Sequence, residues 1–145
     1  MVIQREVFIA ASPETVFSFL IDPALMVDWI GVAHQLEPRS GGLLRIQFSR
    51  GDVARGHFTE IVPHRRVAFT WGWEPGHEGQ HLNLTILPPG VSLVEIDLKP
   101  KDGGTLLHFR HSHVPKEIAD RHGERWSYYL AQLAAAASKI EVKRR

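Results

Sequence analysis

The middle of the chain alternates between apolar and polar residues from Val32 to Arg110, without a helical pattern in between. The alternation is clearest over residues 44–48, 67–73, 94–98 and 105–111, and it is typical of strands that bury one face. Turn residues separate these segments, as at residues 40–42 and 101–104. Because strands this close in sequence can be joined only as hairpins, the pattern predicts one antiparallel sheet.

Helical patterns flank this region. A strand-like segment, residues 2–10, is followed by Ser12 as a helix cap and Pro13 at the first helical position. The pair at residues 22–23, Asp-Pro, repeats the signal and predicts a second short helix that ends near Trp29. After Pro115 the apolar residues recur every three or four positions to the end of the chain, which predicts a long amphipathic helix with a break or kink near Gly123.

These elements predict a single α+β domain over residues 1–145. A curved antiparallel sheet of about six to seven strands wraps around the long C-terminal helix, and two short helices follow strand 1. With 43% hydrophobic and 23% charged residues, the chain has the composition of one ordinary globular domain. Residues 74–90, with three glycines and three prolines, predict an irregular excursion whose apolar residues fold back onto the domain, an extra strand being the alternative.

Composition also excludes several classes of function. The chain has no cysteine, so it has no disulfide, thiolate metal site or cysteine nucleophile. Its net charge of +1 and scattered arginines do not predict nucleic-acid binding. No apolar run is long enough for a membrane span, and the absence of both a secretory start and cysteines predicts a cytoplasmic protein.

The inward positions of the predicted sheet and helix are unusually rich in large rings. A long helix across a concave sheet leaves a space, and large rings beside small helix residues predict a cavity for a small hydrophobic or amphipathic molecule. The alternative is that these rings simply fill the core. The predicted walls are Phe48, Phe58, Phe69, Trp71, Trp73, Phe109, Trp126, Tyr129, Leu130 and Leu133, and the predicted polar anchors are His111 and Arg125.

Nine histidines invite a catalytic interpretation. Strand spacing brings at most two of them to one face, so we predict no metal site and no cofactor. His111 ends an inward-facing series on its strand and is the candidate for a general acid or base, the alternative being a histidine bonded to the backbone. No carboxylate pair, nucleophile elbow or phosphate loop is present. The sequence therefore favours a binding protein over an enzyme.

Several segments resemble a known superfamily in the same order along the chain. The N-terminal part of the chain resembles the opening of the START-like superfamily, also called SRPBCC, at residues 11–17 (ASPETVF), 22–23 and 28–29. This superfamily has the helix-grip fold and includes polyketide cyclases. Further segments resemble one branch of this superfamily, which is named after the C-terminal domain of the activator of the heat-shock-protein-90 ATPase. These segments are residues 38–42, 56–63, 69–74, 104–107, 110–111 and 126–133. The branch usually has glycine before the helix tryptophan, where this chain has Arg125, and residues 74–90 are longer than in compact members.

The resemblance implies three functions. The first is non-enzymatic binding of a hydrophobic molecule such as a lipid, with Arg125 near the cavity mouth or in solvent. The second is a cyclase or dehydratase that acts on a polyketide-like substrate through His111. The third is a co-chaperone-like module of the stress response that uses residues 74–90 to stimulate a chaperone ATPase. One fold hosts many activities, so each of these is an expectation.

Overall fold

The computed structural model describes residues 1–77 and 87–144. The elements in chain order are β1 (Ile3–Ile9), α1 (Pro13–Ile21), α2 (Pro23–Met26), β2 (Ala33–Leu36), β3 (Leu43–Gln47), β4 (Val53–Val62), β5 (Arg66–Trp73), β6 (Ser92–Lys101), β7 (Gly104–Ser112) and α3 (Lys116–Arg144).

The strands form one antiparallel sheet of seven strands in the order β1-β7-β6-β5-β4-β3-β2. The predicted fold class, an α+β domain with two short helices after strand 1 and a long C-terminal helix, is confirmed. Strand β1 joins the sheet beside β7, with Ile3 opposite His111, so the first and last strands are neighbours. A register shift between Phe58 and Glu60 marks a bulge in β4, which bends that strand.

The short helices begin where the capping residues predict. The Ser12 hydroxyl accepts the backbone N–H of Thr15 at 3.2 Å, and the Asp22 carboxylate accepts that of Ala24 at 2.9 Å. Helix α2 ends at Met26, earlier than the predicted end near Trp29. The chain continues in turns to Gly31, whose φ of 74° is outside the helical region.

Helix α3 is continuous through Gly123, so the predicted break at this glycine is wrong. The glycine serves a close approach instead. A Cβ at this position would lie 2.8 Å from Nη2 of Arg5, a residue of β1 whose Nε donates to Ser127 on the same helix. A larger residue here would require the end of the Arg5 side chain to move.

The predicted excursion over residues 74–90 lies partly outside the described residues. Of its apolar residues, Leu87 is fully buried, and its carbonyl accepts the backbone N–H of Trp73 at 2.8 Å. Leu82, Leu84 and Ile86 lie outside the described residues. No helix in the described part of the chain is long and apolar enough to cross a membrane.

Candidate functional site

The space enclosed by α3, the short helices and the sheet contains a cavity of about 10 Å³. This is close to the smallest cavity that holds one water molecule. It is much smaller than the space predicted from the helix and the sheet alone, because side chains of α1, α2 and the turn after them close it. Its walls are Leu20, Met26, Trp29, Ile30, Leu44, Ile46, Phe69, Trp71, Ile96 and Trp126.

The structure places the predicted site residues in three groups. Three of them line the cavity: Phe69, Trp71 and Trp126. Buried elsewhere in the core are Phe58, Phe109, His111, Leu130 and Leu133. Around the Arg125 guanidinium lie Phe48, Trp73 and Tyr129, which we call the Arg125 cage.

His111 is the centre of a fully paired chain of hydrogen bonds. The indole Nε1 of Trp126 only donates, so His111 Nδ1, 3.1 Å away, is the acceptor. The imidazole proton therefore resides on Nε2 and is donated to the Ser92 hydroxyl at 2.8 Å. Ser92 in turn donates to the backbone carbonyl of Trp71. These partners fix one neutral tautomer of His111.

This pairing leaves His111 without the free lone pair that a general base needs. Burial, and to a smaller extent the nearby His122 ring, together lower the pKa of His111 to about 3. A proton on Nδ1 would face the N–H of Trp126, which has no lone pair to accept it. Among the described residues the geometry therefore gives the cyclase interpretation no base at His111.

A second paired chain runs through His122, which sequence reasoning did not assign to the site. Trp73 Nε1 donates to His122 Nε2 at 3.0 Å, and His122 Nδ1 donates to the carbonyl of Ile118 at 3.0 Å. Burial lowers the pKa of His122 to about 4; the bond to Ile118 opposes this shift and the Arg125 charge reinforces it. The position of His122 on the apolar stripe of α3, between Ile118 and Trp126, was the signal that marked it as buried.

Trp71 differs from the other three tryptophans of the chain. Trp73 and Trp126 donate to histidines, and Trp29 donates to the Phe19 carbonyl at 2.9 Å. Trp71 is only 2% exposed, yet its Nε1 has no acceptor among the residues that the structure describes. A buried indole N–H normally has a partner. Trp71 therefore brings an unused hydrogen-bond donor to a residue that lines the cavity.

Arg125 stacks within its cage and reaches a buried carboxylate. Its Cζ lies 5.3 Å from the ring centroids of Phe48 and Trp73 and 5.9 Å from that of Tyr129. Its Nη2 lies 3.5 Å from Asp52 Oδ2 and donates to the Tyr129 hydroxyl at 3.3 Å. Arg125 is thus neither in free solvent nor unpaired, and Asp52 is a second residue that sequence reasoning missed.

A continuous series of aromatic rings links the residues that line the cavity to the Arg125 cage. Ring centroids lie 5.0 Å apart between Trp71 and Trp126, 6.2 Å between Trp126 and Tyr129, and 5.8 Å between Tyr129 and Phe48. Trp71 and Trp126 line the cavity, whereas Tyr129 is half-buried. The series therefore leads from the cavity to the surface of the domain at the Arg125 cage.

Comparisons with known proteins agree with this architecture. The family model described as "Activator of Hsp90 ATPase homolog 1-like protein", AHSA1, matches residues 10–138. The AHSA1-like protein from Rhizobium etli is 38% identical, with 95% of this chain and 82% of that chain covered and a TM-score of 0.68. No curated protein matches.

Two less similar structures share the fold. The Aha1 dimer from Colwellia psychrerythraea is 17% identical, with 95% and 96% of the two chains covered and a TM-score of 0.75. DynU16, a putative protein in the dynemicin biosynthetic locus, is 19% identical and has a TM-score of 0.76 over 97% of this chain; this chain spans about half of it, 48%. The chain therefore belongs to the activator of Hsp90 ATPase homolog 1-like family, within the START-like superfamily.

Proposed function

We propose that the protein binds a small, largely apolar molecule that carries a hydrogen-bond acceptor, between α3 and the sheet, and that it does so without chemical conversion. The observation that carries the proposal is the unpartnered N–H of Trp71, a residue that lines the internal cavity. Leaving a buried donor unpaired costs about 1–3 kcal/mol. A ligand acceptor at this position would recover that free energy.

The ligand needs more room than the cavity of about 10 Å³ provides. The proposal therefore includes movement of side chains. Tyr129 stands at the half-buried end of the ring series, and we expect its ring to move outward and make way for a ring of the ligand. Because a ligand ring replaces ring contacts that already exist, aromatic ligands fit this route better than branched aliphatic ones.

The absence of catalysis in the proposal rests on the two histidines that accept hydrogen bonds from the indoles of Trp126 and Trp73. Both nitrogens of His111 and both of His122 are already bonded, and each bond has a defined donor. Their role in the proposal is to hold Trp126 and Trp73 in place. A rigid wall with one open donor is suited to binding rather than to proton transfer.

The experiment compares naphthalene with quinoline, which has the same shape but a ring nitrogen that accepts a hydrogen bond. The ¹H–¹⁵N spectrum of the four indole groups is followed during each titration. We expect saturable binding of both, with quinoline bound about threefold to tenfold tighter. The Trp71 indole proton should show the largest shift with quinoline.

Two variants make the assignment specific. Trp71→Phe removes the open donor, so the preference for quinoline should disappear. Trp29 also lines the cavity, but its indole N–H already donates to the Phe19 carbonyl. Trp29→Phe therefore removes no open donor, and the preference for quinoline should remain. Absence of saturable binding of either probe to the unmodified protein would refute the proposal.

A second candidate function is stimulation of a chaperone ATPase, and the family match over residues 10–138 favours it. The measurement is the ATPase rate of an Hsp90-type chaperone with and without this protein. An increase that Trp71→Phe leaves unchanged would support an activity separate from the internal site. An unchanged rate over a wide range of protein concentrations would contradict it.

A further inference from the structure

We propose that Asp52 and Arg125 together bind a neutral head group that donates one hydrogen bond and accepts another, as a carboxamide does. This inference rests on the proposed function, since it assigns the polar end of the same ligand. Its basis is that the pair has one unused acceptor, Asp52 Oδ1, and one unused donor, Arg125 Nη1. Both atoms are buried and have no partner among the residues that the structure describes.

The acceptor Asp52 Oδ1 is free because Arg50 and Arg125 both contact the other carboxylate oxygen, Oδ2. Arg50 Nη2 lies 3.1 Å and Arg125 Nη2 lies 3.5 Å from Oδ2. Asp52 is only 1% exposed, so bulk solvent does not reach Oδ1. An ionised carboxylate accepts hydrogen bonds at both oxygens. Oδ1 can therefore accept a hydrogen bond from an N–H or O–H group.

The donor is free because of how the cage holds Arg125. Three ring centroids lie within 5.9 Å of its Cζ and crowd the guanidinium. Guanidinium N–H groups donate in the plane of the group. Nη2 donates to the Tyr129 hydroxyl and lies 3.5 Å from Asp52 Oδ2, whereas Nη1 has no partner among the described residues. An acceptor at Nη1 completes the coordination of Arg125.

The charges of the pair select a neutral head. A carboxylate would satisfy Nη1, but it would leave Oδ1 unpaired and place two carboxylates side by side. An ammonium group would satisfy Oδ1 but would meet the Arg125 charge. A carboxamide presents a carbonyl to Nη1 and an N–H to Oδ1, and it adds no charge. Arg50 does not change this preference much, because its side chain is 44% exposed and its charge is screened by solvent.

Three probes of nearly the same shape test the head group: 2-naphthamide, 2-acetonaphthone and 2-naphthoate. Only the amide both donates and accepts, the ketone only accepts, and the acid is an anion at neutral pH. We expect the amide to bind about tenfold tighter than the ketone and the naphthoate weakest of the three, because only the amide pairs both buried atoms. Calorimetric titration of each probe gives the three affinities.

The variant Asp52→Asn removes the carboxylate while keeping its shape. We expect the ratio of amide to naphthoate affinity to fall at least tenfold, because the anion no longer meets a second carboxylate while Arg125 remains. Arg50→Gln is the matched control: Arg50 contacts the same Oδ2 but none of the unpaired atoms, so the order of the three probes should be unchanged. A changed order in Arg50→Gln would overturn the assignment.

If Asp52→Asn does not fold, Arg125→Gln gives the answer. This variant should weaken the binding of the amide and the ketone about fivefold relative to naphthalene, because it removes the Nη1 donor. Saturable binding of naphthalene with equal affinities for the three heads would overturn the head-group site and leave the proposed function standing. Failure of naphthalene and all three heads to bind would overturn both.

Discussion

Two groups of polar side chains, each with at least one member on α3, differ in how they are paired. In the first group, His111 and His122 hold the indoles of Trp126 and Trp73, and every ring nitrogen has a partner. In the second group, formed by Asp52, Arg125 and Trp71, each residue has one buried atom without a partner among the described residues.

Under the proposed function, the paired groups build the domain and the unpaired atoms are the ones that a ligand would bind. Paired polar groups fix ring orientation and tautomer, and they contribute to a unique core. Unpaired buried groups lower stability, and natural proteins carry few of them. The proposed function accounts for their presence in this chain, because a ligand would pair these atoms.

The largest effect should come from acid, through the paired histidines. Their pKa values in the folded protein, about 3 for His111 and about 4 for His122, lie below the unfolded value of 6.5. The unfolded chain therefore binds more protons below pH 6.5, so stability is fully present above that pH and decreases as the pH falls. Between pH 7.5 and 5 each histidine should cost about 2 kcal/mol. Urea unfolding over this range measures the loss.

The variant His122→Gln provides the control for this pH dependence. It should reduce the slope of stability against pH between pH 5 and 6 by about 1.2 kcal/mol per unit, because one titrating group is gone. His34, whose pKa burial also lowers, retains its contribution in both proteins. Equal slopes in the variant and the unmodified protein would show that His122 is not held neutral by the fold.

The next effect compares indoles of the two groups. Trp126→Phe and Trp71→Phe remove the same atoms, but only the first leaves a buried histidine nitrogen without its donor. Trp126→Phe should therefore lower the free energy of unfolding by about 1–3 kcal/mol more than Trp71→Phe does. Guanidinium unfolding of both variants at pH 7.5 measures the difference. Equal losses would mean that pairing of the indole is not what distinguishes the two groups.

The smallest effect should come from charges outside the core, which are paired but not buried. It shows whether pairing or burial decides the size of the loss. Arg66 contacts Glu60 and Glu95 at 2.7 Å and Asp97 at 2.9 Å on the outer face of the sheet. Because these carboxylates are partly or largely solvent-exposed, Arg66→Gln should cost less than about 1 kcal/mol. The loss should shrink further in about 0.5 M NaCl as the charges are screened. A loss as large as that of Trp126→Phe would show that burial is not the deciding factor.

The sequence was sufficient for the strands and helices because their signals are local. Alternation at residues 67–73 predicts β5 with its rings inward, and the cap at Ser12 predicts the start of α1. Helix α3 was predicted from its apolar stripe, but the break at Gly123 was not found. That glycine makes room for Arg5, a residue 118 positions earlier, and no local pattern reveals such a contact.

The site was predicted less completely because it depends on distant contacts. The aromatic residues predicted as walls include three that line the cavity, Phe69, Trp71 and Trp126, and Arg125 was singled out as a departure from the family pattern. Asp52 has no local signal apart from its place in a turn, and its pairing with Arg125 depends on how the 48–52 turn meets α3. The size of the cavity was overestimated because α1, α2 and the turn after them also contribute to its walls.

The pairing of β1 with β7 has a consequence for how the protein folds. Ile3 lies opposite His111, so the ends of a segment of more than one hundred residues must meet before the sheet is complete. During synthesis, β1 cannot pair with β7 until β7 has left the ribosome. A chain shortened before Ser112 lacks part of β7, the only strand among the described residues that flanks β1, and we expect it to remain unfolded and to be degraded in the cell.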